Sequence, residues 1–261
     1  MSNAVRRLIR RVFPLVAAGI LGTLGAWADE EPWRFTDWKP VVGEPVFKGT
    51  GADTWDRKIR ERGFILVDED GTFNLWYTGY NGDKPETMSL GRATSKDGLH
   101  WTRDASNPIF KKSWVEDVCV VRQDGLYQMF AEGKGDIAHR LSSPDGVHWT
   151  DHGPLDVRKA DGSPIAPGPY GTPTAWFEDG VWRLFYERRD AGVWLATSRD
   201  LKTWTNVQND PVLARGPEPF DRAMIAVNQV VRRGGYYYIF YHALADINDR
   251  NWTTNVARSK D

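Results

Sequence analysis

The sequence predicts an all-β fold, a five-bladed β-propeller that breaks off within its fourth blade, and three observations predict it. First, the phrase Asp97-Gly98-Leu99-His100-Trp101-Thr102 returns as Asp145-Gly146-Val147-His148-Trp149-Thr150 and again as Asp200-Leu201-Lys202-Thr203-Trp204-Thr205. Its tryptophans are 48 and then 55 residues apart, and self-similarity at a period near fifty in a strand-rich chain reads as propeller blades. Second, four Asp-Gly or Gly-Gly turns sit between alternating apolar strands, the strongest short-range hairpin signal. Third, Pro108 and Pro211 each follow a phrase tryptophan by seven residues, and Pro45 stands in that register behind Trp38. The stretch Glu44-Pro45-Val46-Phe47 is therefore expected as the outer strand of a blade whose inner strands lie elsewhere. Ser259-Lys260-Asp261 opens a fourth copy of the phrase. A four-bladed ring with degenerate closure is the alternative.

Taken in order, residues 1–28 read as a secretory signal peptide. Arg6, Arg7, Arg10 and Arg11 precede an apolar run over 12–24 and the small-residue site Ala26-Trp27-Ala28. The run is too short for a comfortable membrane span, and Arg10-Arg11-Val12-Phe13 also resembles a twin-arginine export signal. Cleavage after Ala28 would leave residues 29–261 as one secreted or periplasmic propeller domain. Losing four arginines takes the formal charge from −1 to −5, which argues against a nucleic-acid partner. The single cysteine, Cys119, cannot form an internal disulfide and sits in the apolar run 118–121, where it behaves as a small buried hydrophobe.

The blades share one grammar. An apolar strand (63–67, 118–122, 174–177, 229–232) meets a turn (68–71, 123–125, 178–180, 233–235) and then an aromatic strand (72–77, 126–130, 181–186, 236–241). A third strand leads into the Asp-x-x-x-Trp phrase. Each tryptophan is expected to pack between blades while its aspartate caps a turn, and His100 and His148 read as turn residues.

In a propeller the first strand of each blade lines the channel and the second returns beside it. The start of one and the end of the other therefore share a mouth, where function collects on loops held by a rigid scaffold. Candidates there are Trp55, Asp56 and Glu61 in the first blade, and Trp114, Glu116, Asp117 and Glu132 in the second. The third offers Tyr170, Glu187 and Arg188, and the fourth Asp221 and His242. Carboxylates gathered with arginines suit glycosidic bond cleavage, in which one carboxyl protonates the leaving oxygen and another activates water or attacks. Aromatic rims give sugar rings a face to stack on.

The DGxHWT phrases and the strands FNLWYTGY, YQMFAEG and WRLFYER make residues 33–261 resemble the five-bladed propellers of the glycoside hydrolase family 43, 32, 68, 117 and 130 superfamily. The resemblance implies acids at successive inner-strand starts. Carried over by position, they are Asp56 with Glu61 as competitor, then Asp117 with Glu116 beside it. The third blade departs, because Gly171-Thr172-Pro173 holds no carboxylate, so the proton donor is sought at Glu187 or Asp221. No WMNDPNG is present, unlike in invertases. Three readings remain open: a glycosidase, taking Asp56, Asp117 and Glu187 as catalytic acids; a non-catalytic sugar-binding propeller; and a glycoside phosphorylase with an anion site among Arg57, Arg60, Arg62, Arg188 and Arg222. The expected partner is a carbohydrate, with no membrane contact after cleavage and a monomeric state. No cofactor is expected; a divalent ion in the channel stays open, since no ligand spacing signals one.

Overall fold

A computed structural model describes residues 38–82, 88–165 and 170–261. The predicted signal peptide lies outside the described residues. Every regular element among the described residues is a strand, in keeping with the four turns, and the strands form four sheets arranged as blades. Blade 1 is β1 (Lys58–Val67), β2 (Phe73–Tyr80), β3 (Ser89–Ser95) and β4 (Trp101–Arg103). Blade 2 is β5 (Glu116–Gln123), β6 (Leu126–Gly133), β7 (Ile137–Ser143) and β8 (Thr150–Pro154). After the connecting strand β9 (Asp156–Arg158), blade 3 comprises β10 (Gly171–Glu178), β11 (Val181–Glu187), β12 (Gly192–Ser198) and β13 (Thr203–Asn206), with β14 (Leu213–Ala214) on β12 and β9 parallel to β13. Blade 4 has three strands, β15 (Met224–Arg233), β16 (Tyr236–Leu244) and β17 (Thr253–Ser259). The described residues thus make four blades, and the fifth of the expected ring is not among them.

The inner strands pack in sequence, β1 on β5, β5 on β10 and β10 on β15. Aromatic side chains fill the gaps between blades. Trp149 of blade 2 meets Trp76 of blade 1 edge-on at 6.3 Å, and Trp204 of blade 3 meets Phe130 of blade 2 at 5.6 Å. Each such side chain, once fully buried, contributes about 1.5–3 kcal/mol. Among the described residues no blade precedes Trp101 of blade 1, and Phe47 takes that place at 6.2 Å. Residues 38–57 accordingly form no strand. The outer strand expected there is absent, and its one large apolar side chain covers blade 1, against Tyr77 and Trp101.

The repeated phrase is structural, as expected. Asp97, Asp145 and Asp200 each accept, through Oδ1, the amides two and three residues on, at 2.8–3.0 Å. The aspartate therefore caps the turn that follows it. His100 and His148 lie exposed against Asp97 and Asp145 at 2.7 Å. Cys119 is buried, with its thiol between the backbone groups of Ala175.

One irregularity repeats in all four blades. Each inner strand breaks register with its partner near the mouth: between Arg60 and Phe64, Glu116 and Cys119, Gly171 and Thr174, and Val227 and Gln229. These β-bulges insert residues that re-aim a side chain. Glu61, Asp117 and Thr172 at the first three have φ of 46°, 48° and 47°, a left-handed conformation that is uncommon without glycine and strained for a β-branched residue.

Candidate active site

The four bulges converge. Glu61, Asp117, Thr172 and Asn228 all line one cavity of about 580 Å³ at the channel mouth. The second strands add Glu132, Glu187 and His242, and the loops add Asp136, Arg189, Asp190 and Trp252. Backbone strain and acidic side chains thus coincide at one place, the pattern expected where folding is subordinate to chemistry.

Arg62 spans the mouth. Its Nε donates to Asp117 Oδ1 and its Nη2 to the Asp117 carbonyl, both at 3.3 Å, while Nη1 donates to the carbonyl of Asn228 in blade 4. Arg60 pairs with Glu61 at 3.0 Å and with the buried Glu116 at 2.5 Å. Glu116 therefore lies behind the cavity wall, held by Arg60 and facing Glu132 across the ladder.

Glu132 and Glu187 lean over the same spot. Thr172 N–H donates to Glu132 Oε2 at 2.8 Å, and Asp190 N–H donates to Glu187 Oε2 at 2.5 Å. A Cβ on Gly171 would stand 1.9 Å from Glu187 Oε1 and 2.8 Å from Glu132 Oε2. This explains why the third blade opens without a carboxylate: the space above Gly171 is already taken by two. Burial pushes the Glu187 carboxyl up to about 7, with Asp190, Asp136 and Asp117 adding to it against the Asp190 amide. Burial also raises Asp190 to about 6, and it moves Glu132 and Glu61 well up, each reinforced by the charge of Asp117. His242 is pushed down by burial and by Arg62, and its Nδ1 lies 2.9 Å from Asn228 Oδ1. Its ring lies edge-on to Trp252 at 4.8 Å.

Of the residues expected at the mouth, Asp117, Glu187, Glu61, Glu132 and His242 line the cavity. The others lie elsewhere. Asp56 is buried outside it, accepting from Arg103 Nε at 2.7 Å, Thr54 Oγ1 at 3.0 Å and Tyr77 OH at 3.2 Å. Trp55 lies flat over Gly79 and Gly91 and stacks on Tyr77 at 5.7 Å. Asp221 is buried and accepts from Tyr241 OH at 3.1 Å, which repeats the Asp56–Tyr77 bracket in blade 4. Tyr170 packs edge-on against Tyr186 at 5.5 Å with Arg188 over its ring, and neither lines the cavity, nor does Trp114. The aromatic face at the rim is Trp252 instead, a residue its sequence neighbours do not mark. Asp136 likewise joins the site unannounced, from the turn after β6. Among the described residues no three of His, Cys, Asp or Glu are grouped as a metal ion would need.

No family model matches the chain. It is 28% identical over 222 residues to an uncharacterized protein of Mycobacterium tuberculosis, covering 77% of this chain and 72% of that one. It is 26% identical over 229 residues to a 1,2-beta-oligomannan phosphorylase of Thermoanaerobacter, covering 80% and 73%. Among solved structures, a glycosyl hydrolase from Bacteroides ovatus superposes with a TM-score of 0.68 at 20% identity, over 84% of this chain and 74% of the other. The fold is that of the glycoside hydrolase propellers. A GH43_1 enzyme from Xanthomonas citri complexed with xylose shares it at a TM-score of 0.60 and 13% identity, over 78% and 69%.

Proposed function

We propose that the chain cleaves glycosidic bonds of a poly- or oligosaccharide in the channel mouth, with Glu187 as proton donor and Asp117 as the partner carboxylate. One observation carries this reading: acids from three blades line a single cavity, and one of them, Glu187, has its carboxyl raised to about 7. Such a group holds its proton near neutrality and can release it to a leaving oxygen. Asp117, ion-paired with Arg62 and placed by a strained bulge, is the acid that faces the reacting carbon or its water. Trp252 offers the sugar a stacking face. Export through the residue 1–28 leader belongs to the same reading and is checked by finding Asp29 at the N-terminus of exported protein.

A second reading, phosphorolysis, is favoured by Arg189. This arginine lines the cavity and has no carboxylate partner among the described residues, so it is available to an anion. The oligomannan phosphorylase relative supports it. The test incubates the chain with β-1,2-linked mannooligosaccharides and with xylooligosaccharides, with and without inorganic phosphate. New reducing ends in phosphate-free buffer are the expected result. A sugar 1-phosphate formed only when phosphate is present selects the second reading. Binding without either product overturns both.

A further inference from the structure

Two residues expected at the mouth, Tyr170 and Arg188, belong to a different place. Side chains alternate across a strand, so Tyr186 of β11 projects to the face opposite Glu187, and Arg188 follows directly after the strand. Tyr186 is the cross-strand partner of Trp194 on β12, and the two rings stack at 6.2 Å with 22° between planes. Together with Lys159, Asn206 and Asn209 they line a separate groove of about 270 Å³.

We propose that this groove is a second sugar-binding site, selective for a carboxylated sugar such as a uronic acid. Three independent features point to that chemistry. Trp194 is half-buried and fixed flat by its stack and by the bond from its Nε1 to the Asn209 carbonyl at 2.9 Å, which gives a rigid apolar platform for a pyranose face. Arg188 and Lys159 supply two cations, and among the described residues no carboxylate lines the groove or ion-pairs with Arg188; Arg188 is held over the Tyr170 ring at 5.6 Å. Asn206 is 6% exposed and accepts from Tyr186 OH through Oδ1 at 2.8 Å. Its amide nitrogen donates to no protein group among the described residues, and Asn206 lines the groove.

The corresponding tyrosines of blades 1 and 4 bond carboxylates, Asp56 and Asp221. In blade 3 the tyrosine hydroxyl meets the neutral Asn206 and no carboxylate, so the bracket there carries no negative charge against an anion. A guanidinium then reads the carboxylate in a paired geometry, the amide reads a hydroxyl, and the ring stack holds the sugar body. The site holds whether or not the mouth cleaves bonds.

The test titrates the whole chain with oligomers of glucuronic acid and, in parallel, with equal-length oligomers of glucose, by calorimetry. The expected result is glucuronate binding at least tenfold tighter than glucose binding, lowered at least tenfold by Arg188→Ala and by Trp194→Ala. Glu187→Gln, on the other face of β11, leaves it unchanged. Arg188→Ala removes a surface head group and keeps the test valid should Trp194→Ala fold poorly. Equal binding of the neutral oligomer, retention of affinity in Arg188→Ala, or full competition by sodium sulfate at equal concentration would each overturn the proposal, the last by reducing the groove to a simple anion trap.

Discussion

Asp56 and Glu187 are equally hidden from water, at 2% and 5% exposure, yet their surroundings have opposite character. Three side chains converge on Asp56, two of them neutral donors and one a guanidinium. Glu187 has a single backbone donor on one oxygen, and its other oxygen hangs over the bare Cα of Gly171. Burial alone therefore does not mark a reactive acid. What separates the two is how completely the protein has already satisfied the charge: Asp56 is spoken for, and Glu187 keeps its proton for lack of partners.

The largest effect that could break this comparison is catalytic. Glu187→Gln and Asp117→Asn are each expected to lower kcat on a cleaved oligosaccharide about 10²–10⁴-fold while sugar binding by calorimetry persists; a Glu187→Gln enzyme with full turnover would erase the distinction. Next, Gly171→Ala places a methyl group where the two carboxylates meet, and a displacement near 1 Å is expected to lower kcat by about 10²-fold with little loss of fold. Steady-state kinetics beside a circular dichroism melt separates those outcomes. Asp56→Asn should do the reverse, leaving kcat nearly unchanged but lowering stability by about 2–3 kcal/mol in urea unfolding, below the usual buried-pair value because Arg103 is one-third exposed.

The smallest effect is a slope. Glu187, Asp190, Glu132 and Glu61 all titrate higher in the folded chain than in the unfolded one. The stability tied to their protonation is complete below the ordinary carboxylate range and is lost as pH rises through about 6 to 7 and beyond. Tm should thus fall by a few degrees between pH 5 and pH 8, and Glu187→Gln should flatten that fall. A wild-type Tm that rises over this range would show that the mouth acids are charged and paired after all.

Much of the fold was legible because its signals are local. Asp124-Gly125 and Asp179-Gly180 dictate hairpins whatever surrounds them, and the phrase tryptophans count blades. The inner strands, however, begin earlier than alternation suggested, at Lys58, Glu116, Gly171 and Met224. The bulges interrupt the period of two, so a periodic reading starts each strand just past the residue that matters. Within the site, acids at strand ends are legible directly, as Asp117, Glu132 and Glu187 show. Asp56 and Asp221 were indistinguishable from them in sequence, since the tyrosines that claim them come from a neighbouring strand 20 or so residues on. Trp252 and Asp136 carry no local signal; only closure of the blades brings them to the rim.

The four bulged positions also bear on redesign of the cavity. Residues 61, 117, 172 and 228 sit outside the strand pairing that holds each blade and outside the aromatic seams between blades, yet they face one another across the mouth. A library varied at these four alone would alter the charge and shape of the cavity while leaving the aromatic seams between blades in place.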